Sequence, residues 1–226
     1  MKRYCSYVSQ QPANWNKLVY QVAGDCPDSF AYPETRLPVL PLINATARGE
    51  KKIQVLLIAT GSAPNDKRDE NGETAYERNL RWTLDELKEW SKTNHTIIDY
   101  KVIDYPKRNN IGNTFELFRK TIAAMEENLS EEDIWYADMT YGMRTMTQSM
   151  LYALQYIYLI RKIPVEYLVY GEYDKDLASG IMHDVTAFLA MGSIISHVGG
   201  IKYLKEPEKL VHMALKEIES GEGQHE

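Results

Sequence analysis

Cysteine is nearly absent from this 226-residue chain. Its two cysteines, Cys5 and Cys26, make neither a disulfide framework nor a metal-ligand spacing, and the expected compartment is the reducing cytoplasm. Histidine is scarce too, and none of the five pairs with cysteine or acid at a metal spacing. No Gly-x-Gly-x-x-Gly follows the first strand and no Walker lysine loop occurs, which argues against a dinucleotide cofactor and a P-loop. A Gly-x-Ser-x-Gly nucleophile elbow is missing as well. No cofactor and no metal are therefore expected. Lysine and arginine (26) are outnumbered by aspartate and glutamate (32), and the formal net charge of -6 argues against general DNA or RNA binding. It leaves room for a small anionic ligand in a local pocket. No membrane span is expected: the most apolar long stretch, Met146–Tyr158, is broken by Thr147, Gln148, Ser149 and Gln155. The first residues, MKRYCSYVSQQ, lack the apolar core of a signal peptide.

What is present reads as an ordinary globular α/β chain, 44% hydrophobic and 26% charged. Arg3–Val8 reads as a first strand. Residues 13–38, with Gly24, Pro27, Pro33 and Pro38, read as an irregular surface loop pinned by Trp15, Tyr20, Phe30 and Tyr32. Leu37–Ala45 reads as a short helix. KIQVLLIAT, Lys52–Thr60, is a near-continuous apolar run of the kind that buried parallel strands show. A helix over 73–92 follows, with Leu80, Leu84, Leu87 and Trp90 inward. Next come a strand over 96–105, a helix to about 129, a strand from Ile134, a helix over 145–161 and a strand over 164–170. A polar turn over 171–179 and an antiparallel return over 180–186 come after it. A helix over 187–197, stopped by Gly199-Gly200, and a terminal helix over 206–220 complete the chain. This alternation predicts a doubly wound, mostly parallel sheet, with residues 1–191 as one domain and 192–226 as a short helical extension.

The stretch with the most chemistry is Ile134–Arg144, IWYADMTYGMR: an apolar strand, a glycine-bearing polar turn and a helix start. In open α/β sheets ligands sit at the carboxyl ends of the strands. Gly142 suits close backbone approach to a ligand, the helix start favours an anion, and Arg144 offers a forked cation to a phosphate. The same residues also read as a plain strand–turn–helix with Asp138 or Thr145 as a local cap. Thr60, Gly61 and Ser62 end another strand, where backbone and hydroxyls suit a phosphate or base. Tyr141 and Tyr170 offer stacking faces to a base.

With these residues in hand, the chain resembles the CARF (CRISPR-associated Rossmann fold) family, in the branch whose strand ends in Asp-x-Thr-His-Gly-x-Arg. Here the motif reads Asp138-Met139-Thr140-Tyr141-Gly142-Met143-Arg144. NIGNTFELF at 110–118, VYGEY at 169–173 and HDVTAFL at 183–189 fit the same branch in the same order. The resemblance implies a Rossmann-like fold and a homodimer whose two-fold cup binds a cyclic oligoadenylate, tetra- or hexa-adenylate, the second messenger of type III CRISPR antiviral systems. It implies that Ser9, Gln10 and Asn14 line the cup from the first strand, and Asp138, Thr140, Tyr141, Gly142 and Arg144 from the fourth, with Thr60, Gly61 and Ser62 near the rim. The family's motif histidine is Tyr141 here. No histidine lies five to seven residues after an arginine, so the HEPN ribonuclease signature is missing, and a separate or missing effector domain is implied. The expected role is a sensor. The alternative is a metal-independent ring nuclease, with Thr140, Tyr141 and Arg144 as catalytic residues, leaving a 2′,3′-cyclic phosphate. An unrelated Rossmann nucleotide-binding enzyme is the third reading.

Overall fold

The computed structural model describes residues 1–9, 16–24, 26–60, 66–105, 111–142, 144–174, 179–200 and 213. Eight strands form one sheet: Lys2–Tyr7 (β1), Leu18–Val22 (β2), Tyr32–Thr35 (β3), Lys52–Thr60 (β4), Ile97–Tyr105 (β5), Ile134–Asp138 (β6), Val165–Asp174 (β7) and Ser179–Asp184 (β8). Their order across the sheet is β3-β2-β8-β7-β6-β1-β4-β5. Five neighbouring pairs run parallel, and only β2/β3 and β7/β8 run antiparallel. The six strands from β5 to β8 therefore follow the Rossmann-like order, with β1 in the middle. The expected doubly wound, mostly parallel α/β fold is what the structure has.

The helices are Val39–Thr46 (α1), Ala75–Asn94 (α2), Ile111–Glu126 (α3), Arg144–Leu159 (α4) and Ala187–Gly200 (α5). The core lies in two layers, one on each face of the sheet. Tyr4, Ile53, Val55, Leu57 and Tyr136 point to the face that α1 and α2 cover, with Leu42, Ile43, Leu87 and Trp90. Cys5, Leu56, Ile58, Trp135 and Ala137 point to the other, with Met125 of α3, Met150 and Leu154 of α4 and Leu189 of α5. Burial on both faces is why the central strands read as unbroken apolar runs. Thr74 starts α2 through a reciprocal capping box: its hydroxyl accepts the Glu77 N–H, and the Glu77 carboxylate accepts the Thr74 N–H. His95, at φ 54°, closes it in the left-handed conformation.

The segment read as a loop over 13–38 is corrected. It contains β2, a 3-10 turn at Asp28–Phe30 and β3. β2 alternates: Leu18 and Tyr20 are buried, Val19 and Gln21 exposed. It pairs with β8, about 160 residues further along the chain (Tyr20 faces Gly180), so local composition carries little trace of it. Pro33 is tolerated because β3 is the sheet's edge. β7 also runs on through Asp174, beyond the strand end expected at Tyr170. In α4, Met146, Met150, Leu154 and Ile157 are buried and Tyr158 is exposed. α5 continues through Gly199 and Gly200, and spans the 191/192 boundary. Of the terminal helix over 206–220, only Met213 is among the described residues.

Tyr20 lies flat on the sheet because Gly180 has no side chain. A Cβ there would sit 2.5 Å from the Tyr20 ring. Gly180→Ala is therefore expected to unseat Tyr20 and lower stability by about 2 kcal/mol, or about 4–8 °C in thermal midpoint. A midpoint within a degree of wild type would show that the hairpin does not depend on this contact.

Candidate functional site

Within the six-strand order the chain runs from β4 out to β5, then returns past β1 to β6 and runs out the other way through β7 to β8; the β2–β3 hairpin, between β1 and β4 in sequence, lies beyond β8. The crevice between the carboxyl ends of β1 and β6 is therefore the sheet's topological switch point. The motif stands there: Asp138 ends β6 and Arg144 is the first residue of α4.

Asp138 is fully buried. Its Oδ2 accepts the Ser6 hydroxyl of β1 at 2.7 Å, and its Oδ1 accepts the Thr140 N–H at 2.9 Å and the Thr140 hydroxyl at 2.5 Å. Thr140 Oγ1 in turn accepts the Gly171 N–H of β7 at 2.7 Å. One carboxylate thus ties three strands together at the switch point. Burial raises its pKa, against the lowering effect of the Ser6 and Thr140 hydrogen bonds. Asp138 shapes the edge from beneath and does not line its surface. The same clasp recurs at Asp184-Val185-Thr186. The Thr186 N–H and hydroxyl both go to Asp184 Oδ1, and Thr186 Oγ1 accepts the Leu168 N–H of β7. Asp-x-Thr thus clasps a neighbouring strand at two places in this fold.

Gly142 makes its close approach to protein. A Cβ there would meet the Thr147 hydroxyl at 2.3 Å and the Tyr7 ring at 2.9 Å. Tyr7 is buried, and its hydroxyl donates to the Met146 carbonyl at 2.5 Å, holding the first turn of α4. Gly142 is therefore needed for the packing of the turn on β1.

No family model matches this chain, and no curated protein matches it.

Apart from Asp138, Gly142 and Arg144, the described residues singled out from sequence fall into two groups. Thr140, Tyr141 and Tyr170 come together around a cleft of about 170 Å³ at the carboxyl end of β7, with Leu18, Tyr20 and Tyr173. Tyr141 and Tyr170 are partly exposed there. Tyr20 is buried beside the Tyr141 hydroxyl, and burial first, then that neighbour, push its phenol far up. Ser9 lies on the other side of the motif, past the end of β1. It is largely buried, and its carbonyl accepts the Asn79 amide of α2 at 2.7 Å. Thr60 ends β4 on that same side. Gln10, Asn14, Gly61 and Ser62 lie outside the described residues. Sequence reasoning missed Ser6, Tyr7, Asn79, Tyr173 and the structural place of Tyr20. Of these, Tyr20 had a usable signal in the alternation of LVYQV.

A larger cleft of about 390 Å³ lies between β3, α1 and α2. None of the sequence-predicted site residues lines it. Its buried Glu86 is bound to the Thr35 hydroxyl and to Arg36. Among the described residues no group of three or more His, Cys, Asp or Glu is arranged to hold a metal, and no helix is long and apolar enough to cross a membrane.

Proposed function

We propose that this chain is a CARF protein, a homodimeric sensor of cyclic oligoadenylate in a type III CRISPR antiviral system. The observation that carries the reading is the coincidence of motif and topology. Asp138–Arg144 is the stretch whose pattern resembles the family, and it falls at the switch point of a Rossmann-order sheet, beside the end of β1. Open α/β sheets bind ligands at that place. A two-fold ring suits an isologous pair of such edges, since each protomer reads the same half of the ligand.

Binding without cleavage is favoured by the burial and hydrogen-bond engagement of the groups at this edge. Cutting the ring requires a ribose 2′-OH to lose its proton as it attacks phosphorus. The Asp138 carboxylate is buried and engaged by Ser6 and Thr140. Burial pushes the Tyr7 and Tyr20 phenols far up. The one proton of Thr140 already goes to Asp138. None of these is a general base at neutral pH.

The test is incubation of purified, metal-free protein with cyclic tri-, tetra- and hexa-adenylate, followed by chromatography of the nucleotides. The ring is expected back intact, carried by the protein. Linear product ending in a 2′,3′-cyclic phosphate would make the protein a ring nuclease. Passage of every ring without retention would end the oligoadenylate reading.

A further inference from the structure

β5 ends the sheet, and its outer edge is open. It is nine residues long and pairs only with β4, in unbroken register from Ile97 to Tyr105. The Ile97 N–H donates to the Lys51 carbonyl at 2.9 Å, on the β4 side. Backbone groups of successive strand residues point to alternate sides, so the N–H and C=O of Ile98, Tyr100 and Val102 face outward. Among the described residues nothing bonds to them. Natural sheets guard such an edge with proline, a bulge, charge or a covering element. β5 has no proline and no bulge, and Ile97 and Tyr100 are 64% and 51% exposed. At its middle the guards are Asp99 and Lys101.

Those two charges do not guard the strand against its own copy. IIDYKVI, Ile97–Ile103, is a charge-complementary palindrome about Tyr100: apolar, apolar, acid, tyrosine, base, apolar, apolar. Antiparallel pairing of two copies about a two-fold axis sets one residue opposite itself. An axis through Lys101 sets lysine on lysine, and one through Asp99 sets aspartate on aspartate, which destabilises the pairing. An axis through Ile98 or Val102 gives neither charge an opposite one. The axis through Tyr100 pairs Asp99 with the second copy's Lys101, and Lys101 with its Asp99. It also sets Ile97 on Ile103 and Ile98 on Val102, and it makes the outward-facing residues the hydrogen-bonded pairs. Both core layers then continue across the axis, since Ile98 and Val102 pack on the α2 face and Ile103 on the other. Within one chain Asp99 lies 3.2 Å from Lys52, and Lys101 pairs with Glu127. These side chains are about half exposed, so the pairs hold little energy and can be exchanged.

We propose that β5 is a self-recognition edge, at which a second copy of this chain adds antiparallel, centred on Tyr100, to make one continuous sheet from two. The inference does not rest on the oligoadenylate reading. If the chain also pairs through the motif edge, β5 pairing links those dimers into larger assemblies.

Sedimentation velocity of the full chain at high protein and low salt concentration tests this. Asp99→Lys and Lys101→Asp each set like charges opposite one another across the axis, and both sites are exposed, so both variants should keep the wild-type thermal midpoint. Wild type is expected at twice the mass of either variant or more, and the difference should shrink in high salt. Mixed in equal amounts, the two variants complement each other at both charge pairs and should recover the wild-type mass. Tyr100→Cys fixes the register: residues of a hydrogen-bonded pair stand about 5.5 Å apart at Cα, within disulfide reach. Added diamide should therefore oxidise the two thiols to an interchain disulfide in that variant and not in Ile97→Cys, the native cysteines being buried. Variants as heavy as wild type, a mixture no heavier than its components, or equal cross-linking at both positions overturns β5 pairing. A dimer that every variant retains belongs to another surface, such as the cup of the sensor reading, and counts against β5. Failure of cyclic oligoadenylate to bind changes none of these outcomes, so the two readings fall separately.

Discussion

Arg3→Ala is expected to lower the unfolding free energy by about 3–5 kcal/mol, the range for breaking one side of a buried ion pair. Arg3 is fully buried in β1. Its Nε donates to Asp133 Oδ2 at 2.7 Å, and its terminal nitrogens donate to the Glu127 carbonyl at 2.9 Å, to the Asn128 carbonyl and to Gln54 Oε1 of β4. The guanidinium also lies 5.9 Å from the centre of the Trp135 ring. One side chain thus joins β1, β4, β6 and the turn after α3. Truncation leaves carbonyls without donors in a closed interior and removes one of the cations facing Asp133. Burial would raise the Asp133 pKa, but the Ser130 N–H, the Met1 ammonium and Arg3 outweigh it and hold the carboxyl below its ordinary value. The stability from that depression is present above the unfolded carboxyl pKa, near 3.9, and is lost as pH falls through the lower folded one. Denaturant unfolding should therefore show the full gap between wild type and variant at pH 7, and a smaller gap below about pH 4. A gap under about 1 kcal/mol at pH 7 would mean that the Arg3 hub is solvated.

Asp138 separates the architectural role from the ligand-contact role. Asp138→Ala is expected to cost about 3 kcal/mol, because it strands the Ser6 hydroxyl and the Thr140 N–H and hydroxyl away from water. Asp138→Asn should stay within about 1 kcal/mol of wild type. Its amide oxygen still accepts from Thr140, its amide nitrogen can donate to Ser6, and no charge is buried. Burial raises the Asp138 pKa, so wild type should lose stability relative to Asp138→Asn as pH rises from the ordinary carboxyl value to the higher folded one. If Asp138 only shapes the turn, Asp138→Asn binds the ring within a fewfold of wild type while Asp138→Ala loses more than about a hundredfold. An Asn variant as defective as the Ala variant would place a carboxylate–ligand contact at this residue.

The centre of the sheet was legible because its strands are buried on both faces. KIQVLLIAT became β4, and IWYAD followed by a turn and a helix became β6 and α4. The β2–β3 hairpin was not legible, since its pairing with β8 is distant in sequence and its prolines and glycine match those of a loop. The motif lies at the sheet's topological switch point, but a string of residues does not say which way a carboxylate faces. Asp138 points into the protein, where Ser6 and Thr140 engage it. Gly142 was read as space for a ligand, and that space is filled by Tyr7 and Thr147. Tyr141 and Tyr170 were singled out as stacking faces, and they meet at one cleft. The alternation of LVYQV marks Tyr20 as a strand residue, but its place beside them follows from the pairing of β2 with β8.

Calorimetric titration of the purified protein with cyclic tetra- and hexa-adenylate decides whether it is an oligoadenylate sensor. Saturable binding of one of the two rings is expected at about micromolar or tighter, with one ring per two chains, and with the ring intact at the end. Neither ring giving saturable binding, with the protein folded by its thermal transition, would contradict it.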